Sequence, residues 1–547
     1  MSTEPQIKFS NEESKANIRY KIAQNTLNII DLTKSTIKSS ESNELFKNSF
    51  KKFIQNEQLI ESTGDKLQKI HIIGSQLNFQ KFPRRSIPSS TKMSKYRSAG
   101  FIGALALGAL IRLCLINNQS LRQWLQNRVE ISTPLTSWHR VLEGIYLKNS
   151  LNSSSYEGDL VHEIPMMINL YHFLIQLLSA KHIIYFFILI DCLNSVLVYT
   201  ISYKIIQHTC IMENFNKTNG KYARLFESKE KREDFLLSEK NFRPLFWSLL
   251  AMACYLFNPL NLACCMSQTT VLIHHFILLL WLNFLLNGKV FMSYFFLAIH
   301  ANITVYSLVL IVPSIGVIRQ KKILKRKHIK SELNLASKHL ATFVLLAALV
   351  FMFNFYLENF NTRFIDCTYF FILKVRDLVP NMGLFWYFLT EMFDHFITFF
   401  IYVFQLNAFL YSVPLTLRLR DEPMVNLLVQ IGLLYVFKSY PNIGETGLYT
   451  AFLPCVAYLF PLMRNVLVYT CMLIAGGVLA PIMFYLWLGS GGGNANFYFA
   501  ITLVYSVGQI FLLVDVFYAC LKREFIKLNG SDVPLGTDGK PASFTLE

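Results

Sequence analysis

This sequence predicts an all-α, polytopic membrane protein with about twelve transmembrane helices. Three observations carry that reading. Apolar residues make up 53% of the 547 and charged residues only 16%, whereas a soluble globular chain carries about 25% charged residues. Aromatic residues reach 14%, with 47 Phe and 26 Tyr. The apolar residues also fall in long runs divided by short polar or basic connections, as surface facing lipid requires.

Residues 1–97 differ in kind from the rest. They are polar, with 17 Lys/Arg against 9 Asp/Glu and loose helical periodicity around Ile18–Ile37 and Phe46–Ile72. We read them as a basic cytoplasmic extension, largely disordered or loosely helical, ending in the linker KFPRRSIPSSTK. No signal-peptide-like apolar core lies in it, so the first span, about Ala99 to Ile116, doubles as the targeting signal. Met93 just before that span is an alternative start.

Residues 98–530 form one multi-span domain. A mixed segment runs to Glu163, followed by apolar stretches at 164–180, 183–206, 244–258, 268–287, 290–301, 302–318, 339–358, 384–416, 424–438, 446–460, 465–488 and 497–520. Several fall short of the roughly 20 residues that cross a bilayer as a helix, so they read as half-spans or as elements packed inside the bundle. The 164–180 stretch, entered through HEIP, is predicted to lie at the interface without crossing. Residues 531–547 are the tail.

Charge bias sets the orientation. Residues 319–338 carry 8 Lys/Arg and one acid, which makes that loop cytoplasmic. The loop 207–243, the RLRDEP turn at 418–423 and both termini belong to the same side. Loops 117–163, 359–383, 439–445 and 489–496 then face the other side, the lumen of an internal membrane. Asn118 and Asn152 each open an Asn-x-Ser triplet there.

The formal net charge of +17 suits juxtamembrane contact with anionic lipid. Outside the apolar spans no basic groove is interleaved with stacking aromatics, so nucleic acid is not an expected partner. The ten Cys show no metal or redox spacing. Cys114, Cys192, Cys254, Cys471 and Cys520 lie in apolar runs and read as buried thiols. His274–His275 lack a carboxylate one turn on, so neither a zinc site nor any cofactor is expected.

The most unusual stretch is DLVPNMGLFWYFLTEMFDHF, residues 377–396. A polar turn enters an aromatic run that still carries Glu391, Asp394 and His395, and these must face protein or water rather than lipid. With VEISTPLTSWHRVLEGIYL (129–147), YEGDLVHEIPMMINLYHFLI (156–175), FKSYPNIGETGLYTAFLP (437–454) and NANFYFAITLVYSVGQI (494–510), it resembles the phosphatidylinositol-glycan class U (PIG-U) family, a subunit of the glycosylphosphatidylinositol (GPI) transamidase. The resemblance covers nearly everything from residue 99 to the tail and leaves residues 1–97 without a counterpart.

The resemblance implies an accessory subunit of the endoplasmic reticulum membrane, both termini cytoplasmic. It would bind the GPI lipid and work beside other subunits, including a cysteine-protease-like catalytic one. The family is itself similar to C-type glycosyltransferases, so a GPI-pathway mannosyltransferase is the competing reading. Those enzymes need an acidic pair just after the first span, and NNQSLRQWLQNRVEIS offers Glu130 alone. A glycosyltransferase-like bundle without the acidic catalytic motif is the resulting expectation.

The candidate GPI-binding residues follow from topology and resemblance together. Asn494 and Asn496 align with the family's short N-x-N-F motif beside the glycolipid head, and a turn-forming role stands as their alternative. Asp377 and Asn381 bracket a Pro-containing turn, while Ser439 and Tyr440 belong to a matching turn at another helix mouth. Phe385, Trp386 and Tyr387 line an acyl slot or form an ordinary interfacial belt.

Overall fold

The computed structural model describes residues 90–151, 153–218, 242–325 and 331–529. The extension up to residue 89, Asn152 and the 531–547 tail lie outside the described residues. The chain divides after Met93 into two units, of which the second, Ser94–Glu547, holds the apolar helices.

The described residues are helical and contain no strand. In chain order the α-helices of six residues or more are α1 (Ser90–Ile116), α2 (Gln119–Gln126), α3 (Trp138–Ser150), α4 (Pro165–Thr218), α5 (Pro244–Leu256), α6 (Pro259–Met266), α7 (Val271–Leu286), α8 (Val290–Ile303) and α9 (Ile311–Leu324). Then come α10 (Glu332–Leu357), α11 (Trp386–Glu391), α12 (Asp394–Leu410), α13 (Ser412–Arg418), α14 (Pro423–Phe437), α15 (Ile443–Thr450), α16 (Val466–Leu488) and α17 (Ala495–Asn529). Local chemistry explains many of the boundaries. Proline opens α5, α6 and α14, where its missing N–H costs no hydrogen bond. Asn118, Asn258 and Ser331 accept backbone N–H groups at the starts of α2, α6 and α10. Asn442 and Glu445 close a reciprocal capping box on α15.

Five helical segments are long and apolar enough to cross a membrane: His182–Asn216, Glu332–Leu357, Asp394–Arg418, Val466–Leu488 and Ala495–Lys527. Three bent pairs raise the number to at most eight: α1 with α2 at 92°, α5 with α6 at 48°, and α15 with the 3-10 segment Leu453–Leu462 at 70°. The other apolar helices, α7, α8 and α14, are shorter and mostly buried by their neighbours. About twelve full crossings is therefore more than length and composition support among the described residues.

Two sequence expectations change. The 384–416 stretch is not one span, because the chain leaves helical geometry at Met392 and Phe393 and restarts at Asp394. Glu391, Asp394 and His395 all sit exposed around that break. Of the thiols expected to be buried, Cys114, Cys254 and Cys471 are exposed and Cys192 is half-buried. The 164–180 stretch does end where expected, since Ser179 takes a left-handed φ of 58° and breaks α4 before the long span.

One ion pair ties the first helices together. Arg112 of α1 donates to Asp191 of α4 at 2.6 Å, and both are fully buried. Tyr255 of α5 donates to the other Asp191 oxygen at 2.8 Å, and Arg112 reaches the Leu256 carbonyl at 3.2 Å.

Candidate functional site

The connections around residues 127–137, 375–385, 439–443 and 489–495 meet at one end of the bundle. The Ile443 N–H donates to the Glu130 carbonyl at 3.3 Å, and the Ser506 hydroxyl of α17 donates to the Met382 carbonyl at 3.1 Å.

The Pro-containing turn is locked from within. Asn381 Oδ1 accepts the Gly383 N–H at 2.7 Å and its amide donates to the Val379 carbonyl at 3.2 Å, an Asx turn buried to 1% exposure. A Cβ at Gly383 would lie 2.7 Å from Asn381 Oδ1 and 3.0 Å from Pro441 Cδ, so only glycine lets the 377–383 and 439–441 turns interlock. The buried Tyr440 hydroxyl donates to the Asp377 carbonyl at 2.9 Å and accepts the Asp377 N–H at 3.1 Å. The Asp377 carboxylate takes Arg140 at 3.3 Å. Ser439 is buried against Tyr306 Oη (2.7 Å) and Gln405 Nε2 (3.0 Å). Asn381, Ser439 and Tyr440 thus face inward and hold the turns. Asp377 shares that task through its backbone and keeps its carboxylate half-exposed.

His162 belongs to the same scaffold. Its ring stacks on Phe371 with centroids 3.5 Å apart, Nδ1 pairs with the Cys367 carbonyl at 2.7 Å, and Nε2 faces Arg140 at 3.1 Å. A donor Nδ1–H and an acceptor Nε2 satisfy both contacts, so the ring is neutral. Burial, reinforced by the Arg140 cation, pushes its pKa down to about 4.

Beyond the turn, α11 carries the aromatic residues. Phe385 stacks on Phe404 at 4.4 Å, and Trp386 is buried among Trp487, Tyr498 and Phe499. Tyr387 stacks on Phe499 at 4.6 Å, and its hydroxyl donates to Asn496 Oδ1. Asn496 is exposed. Asn494 is exposed as well, and its Oδ1 accepts the N–H groups of Asn496 (3.1 Å) and Phe497 (3.4 Å). It therefore caps α17, leaving its amide N–H groups outward. The predicted set accordingly divides in two. Tyr387, Asn494 and Asn496 make a polar surface over a buried aromatic wall, while Asp377, Asn381, Ser439 and Tyr440 are the frame behind it.

Glu391 is absent from the sequence-derived site, yet it stands one turn from Tyr387 on the same helix. Desolvation and then this carboxylate hold the Tyr387 phenol above its ordinary pKa. The i,i+4 spacing is readable in WYFLTE, but only the break after Glu391 places it at the exposed end of α11.

Glu130 is closed to chemistry. It is 5% exposed, its carboxylate takes Arg128 through Nε (3.2 Å) and Nη2 (3.0 Å), and it accepts the Tyr498 hydroxyl at 3.3 Å. A carboxylate so engaged is not poised as a base. No group of three candidate metal ligands occurs among the described residues.

A family model described as "BLOC-1-related complex sub-unit 7" matches residues 1–96. Over the membrane domain, the chain is 35% identical to the mouse "GPI-anchor transamidase component PIGU" across 450 residues, 81% of this chain and 98% of that protein. The human protein of the same name is 34% identical over 462 residues, covering 82% of this chain and all of its own length. "GPI transamidase component GAB1" of Saccharomyces cerevisiae is 30% identical over 425 residues, 77% of this chain and 95% of its own. Since a second family model, described as "GPI transamidase subunit PIG-U", matches residues 106–505, the chain belongs to the PIG-U family of GPI transamidase subunits.

Proposed function

We propose that this chain is the non-catalytic subunit that binds the GPI lipid and presents it for attachment to protein C-termini. The observation that carries the reading is the pairing of exposed amides at Asn494 and Asn496 with a buried aromatic wall of Trp386, Tyr498 and Phe499. A glycolipid needs hydrogen-bond partners for its phosphates and sugars, and an apolar slot for its chains. Exposed amides and aromatic side chains lie side by side here. Holding the lipid's terminal amine beside an acyl-enzyme on a cysteine-protease-like partner lowers the entropic barrier to attack, which contributes to catalysis without chemistry in this chain.

The polar end of the bundle is then luminal, both termini are cytoplasmic, and the membrane is that of the endoplasmic reticulum. With α7, α8 and α14 counted as crossings as well, the number rises toward the twelve of the sequence reading. Residues 1–96 form a separate module, similar to a BLOC-1-related complex subunit and unconnected with lipid presentation.

The test is the Asn494→Ala, Asn496→Ala double variant in cells lacking the native protein. A lost hydrogen bond to a charged group costs about 1.5–3 kcal/mol, roughly ten- to a hundredfold in occupancy. Complete GPI lipid and unattached precursor proteins should accumulate while the variant still co-purifies with its complex. Attachment at the normal rate would reduce both asparagines to turn-formers.

A further inference from the structure

Asn494 caps the start of α17, and near the other end of that helix Arg523 pairs with Glu213 of α4. From Ala495 to Arg523 is about 42 Å at 1.5 Å per residue. Lys204, about 14 Å before Glu213 on α4, therefore belongs to the end of the bundle opposite the amides. Helices α7 and α9 also end there, and the last turn of α7 takes two ammonium groups. Lys204 donates to Asn283 Oδ1 at 2.6 Å, and Lys321 of α9 donates to the carbonyls of Leu285 (2.9 Å) and Leu286. The charges of Lys204 and Lys325 both act on Lys321. Lys204 and Lys321 are half-buried, while Lys325 and Asn287 are exposed, so the group opens outward.

Capping of α7 accounts for part of this arrangement. A helix C-terminus carries about half a negative charge, against three ammonium groups here. Each ammonium has three N–H donors, and the bonds above leave donors spare on both Lys204 and Lys321. No ion pair forms at Lys204, Lys321 or Lys325 among the described residues, and Glu332, the next carboxylate along the chain, is taken by Arg319 at 2.7 Å. His208, one turn beyond Lys204, has no partner on either ring nitrogen and supplies no counter-charge. Like charges gathered partly out of water repel one another, and an anion relieves them.

The level of the group along α4 argues for a lipid. His182 opens the long apolar span, and Lys204 stands about 33 Å further along the helix, close to the thickness of a bilayer's hydrocarbon core. Just past the α7 turn, α8 begins with Phe291 and Met292 both exposed, so apolar surface adjoins the cations. A soluble anion would use only the charge, whereas an amphiphile uses both. We infer that Lys204, Lys321 and Lys325 hold the phosphate of an anionic glycerophospholipid, with its acyl chains along the start of α8. A phosphodiester brings one negative charge, which three cations neutralise without excess, while a choline head group brings its own ammonium and gains less. The site does not depend on the GPI reading, since it lies at the other end of the bundle.

The test uses the intact complex in phosphatidylcholine nanodiscs containing a trace of lipid with a diazirine on its acyl chain, either phosphatidylinositol or phosphatidylcholine. The inositol lipid is expected to label residues 287–295 several-fold more than the choline lipid, and excess inorganic phosphate should not compete. Lys204→Gln with Lys325→Gln, which leaves the Lys321 cap in place, should bring the labelling down to the choline level. Lys204→Arg with Lys325→Arg should retain it, and co-purification with the other subunits checks that both variants assemble. Equal labelling by the two lipids in the wild type would overturn the proposal and leave Lys321 as a helix cap only. An undiminished preference in the Gln variant would overturn it too. Competition by inorganic phosphate would do the same, since the site would then serve a soluble anion.

Discussion

Tyr440 and Asn496 are both polar residues at helix mouths, yet they do opposite work. Tyr440 spends its hydroxyl on both backbone groups of Asp377, so Tyr440→Phe strips two buried partners and should destabilise the turn by about 1–3 kcal/mol. Its effect on GPI attachment should follow the loss of folded protein, as measured by protease resistance of the complex. Asn496→Ala should leave that resistance unchanged and reduce attachment alone. Glu391→Gln extends the same contrast. If the carboxylate meets a positively charged amine of the glycolipid, the exposed variant should assemble normally and attach GPI several-fold more slowly. An unchanged attachment rate would remove Glu391 from the site.

Among the elements, the loop carrying His162 has a predictable pH response. Free histidine titrates near 6.5, whereas this one is held down to about 4. Between those values the unfolded loop takes up a proton that the folded loop refuses. Its stabilising contribution is therefore complete above about pH 6.5 and is lost as pH falls toward 4, by on the order of 1–3 kcal/mol. Hydrogen exchange across 156–164 and 364–377 should rise in that window for the wild type, and the dependence should flatten in His162→Phe. The α1–α4–α5 junction carries a larger stake. Asp191→Ala leaves Arg112 charged and unpaired inside the bundle, at a cost of about 3–5 kcal/mol. An Arg112→Met, Asp191→Leu pair should recover most of it, read as the melting temperature of the purified complex.

For the whole molecule, residues 1–96 and 106–505 are matched by different families. A chain starting at Met93 should insert and join its complex as the full chain does, as judged by co-purification. Failure to assemble would make residues 1–92 a docking element for the other subunits. Reporters fused after Ser331 and at Gly492 should fall on opposite sides of the membrane, the first cytoplasmic and the second luminal. A cytoplasmic Gly492 would remove the basis for lipid presentation.

Composition and the order of apolar runs by themselves determined the all-α membrane class, because lipid leaves backbone polar groups no partner except those within a helix. The long family-like stretches also placed the candidate residues on three connections and the start of α11. Only tertiary structure decided which of those residues remain available. Asn381, Ser439 and Tyr440 are consumed by hydrogen bonds to residues remote in sequence or by a turn that closes on them, and no local pattern announces such partners. Glu130 looked like a lone carboxylate until Arg128 and Tyr498 closed on it. His274 showed no carboxylate one turn on, yet Glu163 stands 2.9 Å from it across the bundle. The number of spans escaped the sequence for a related reason. Hydropathy records how apolar a run is, but breaks such as those at Ser179 and Met392, which hydropathy does not register, decide how long each helix runs.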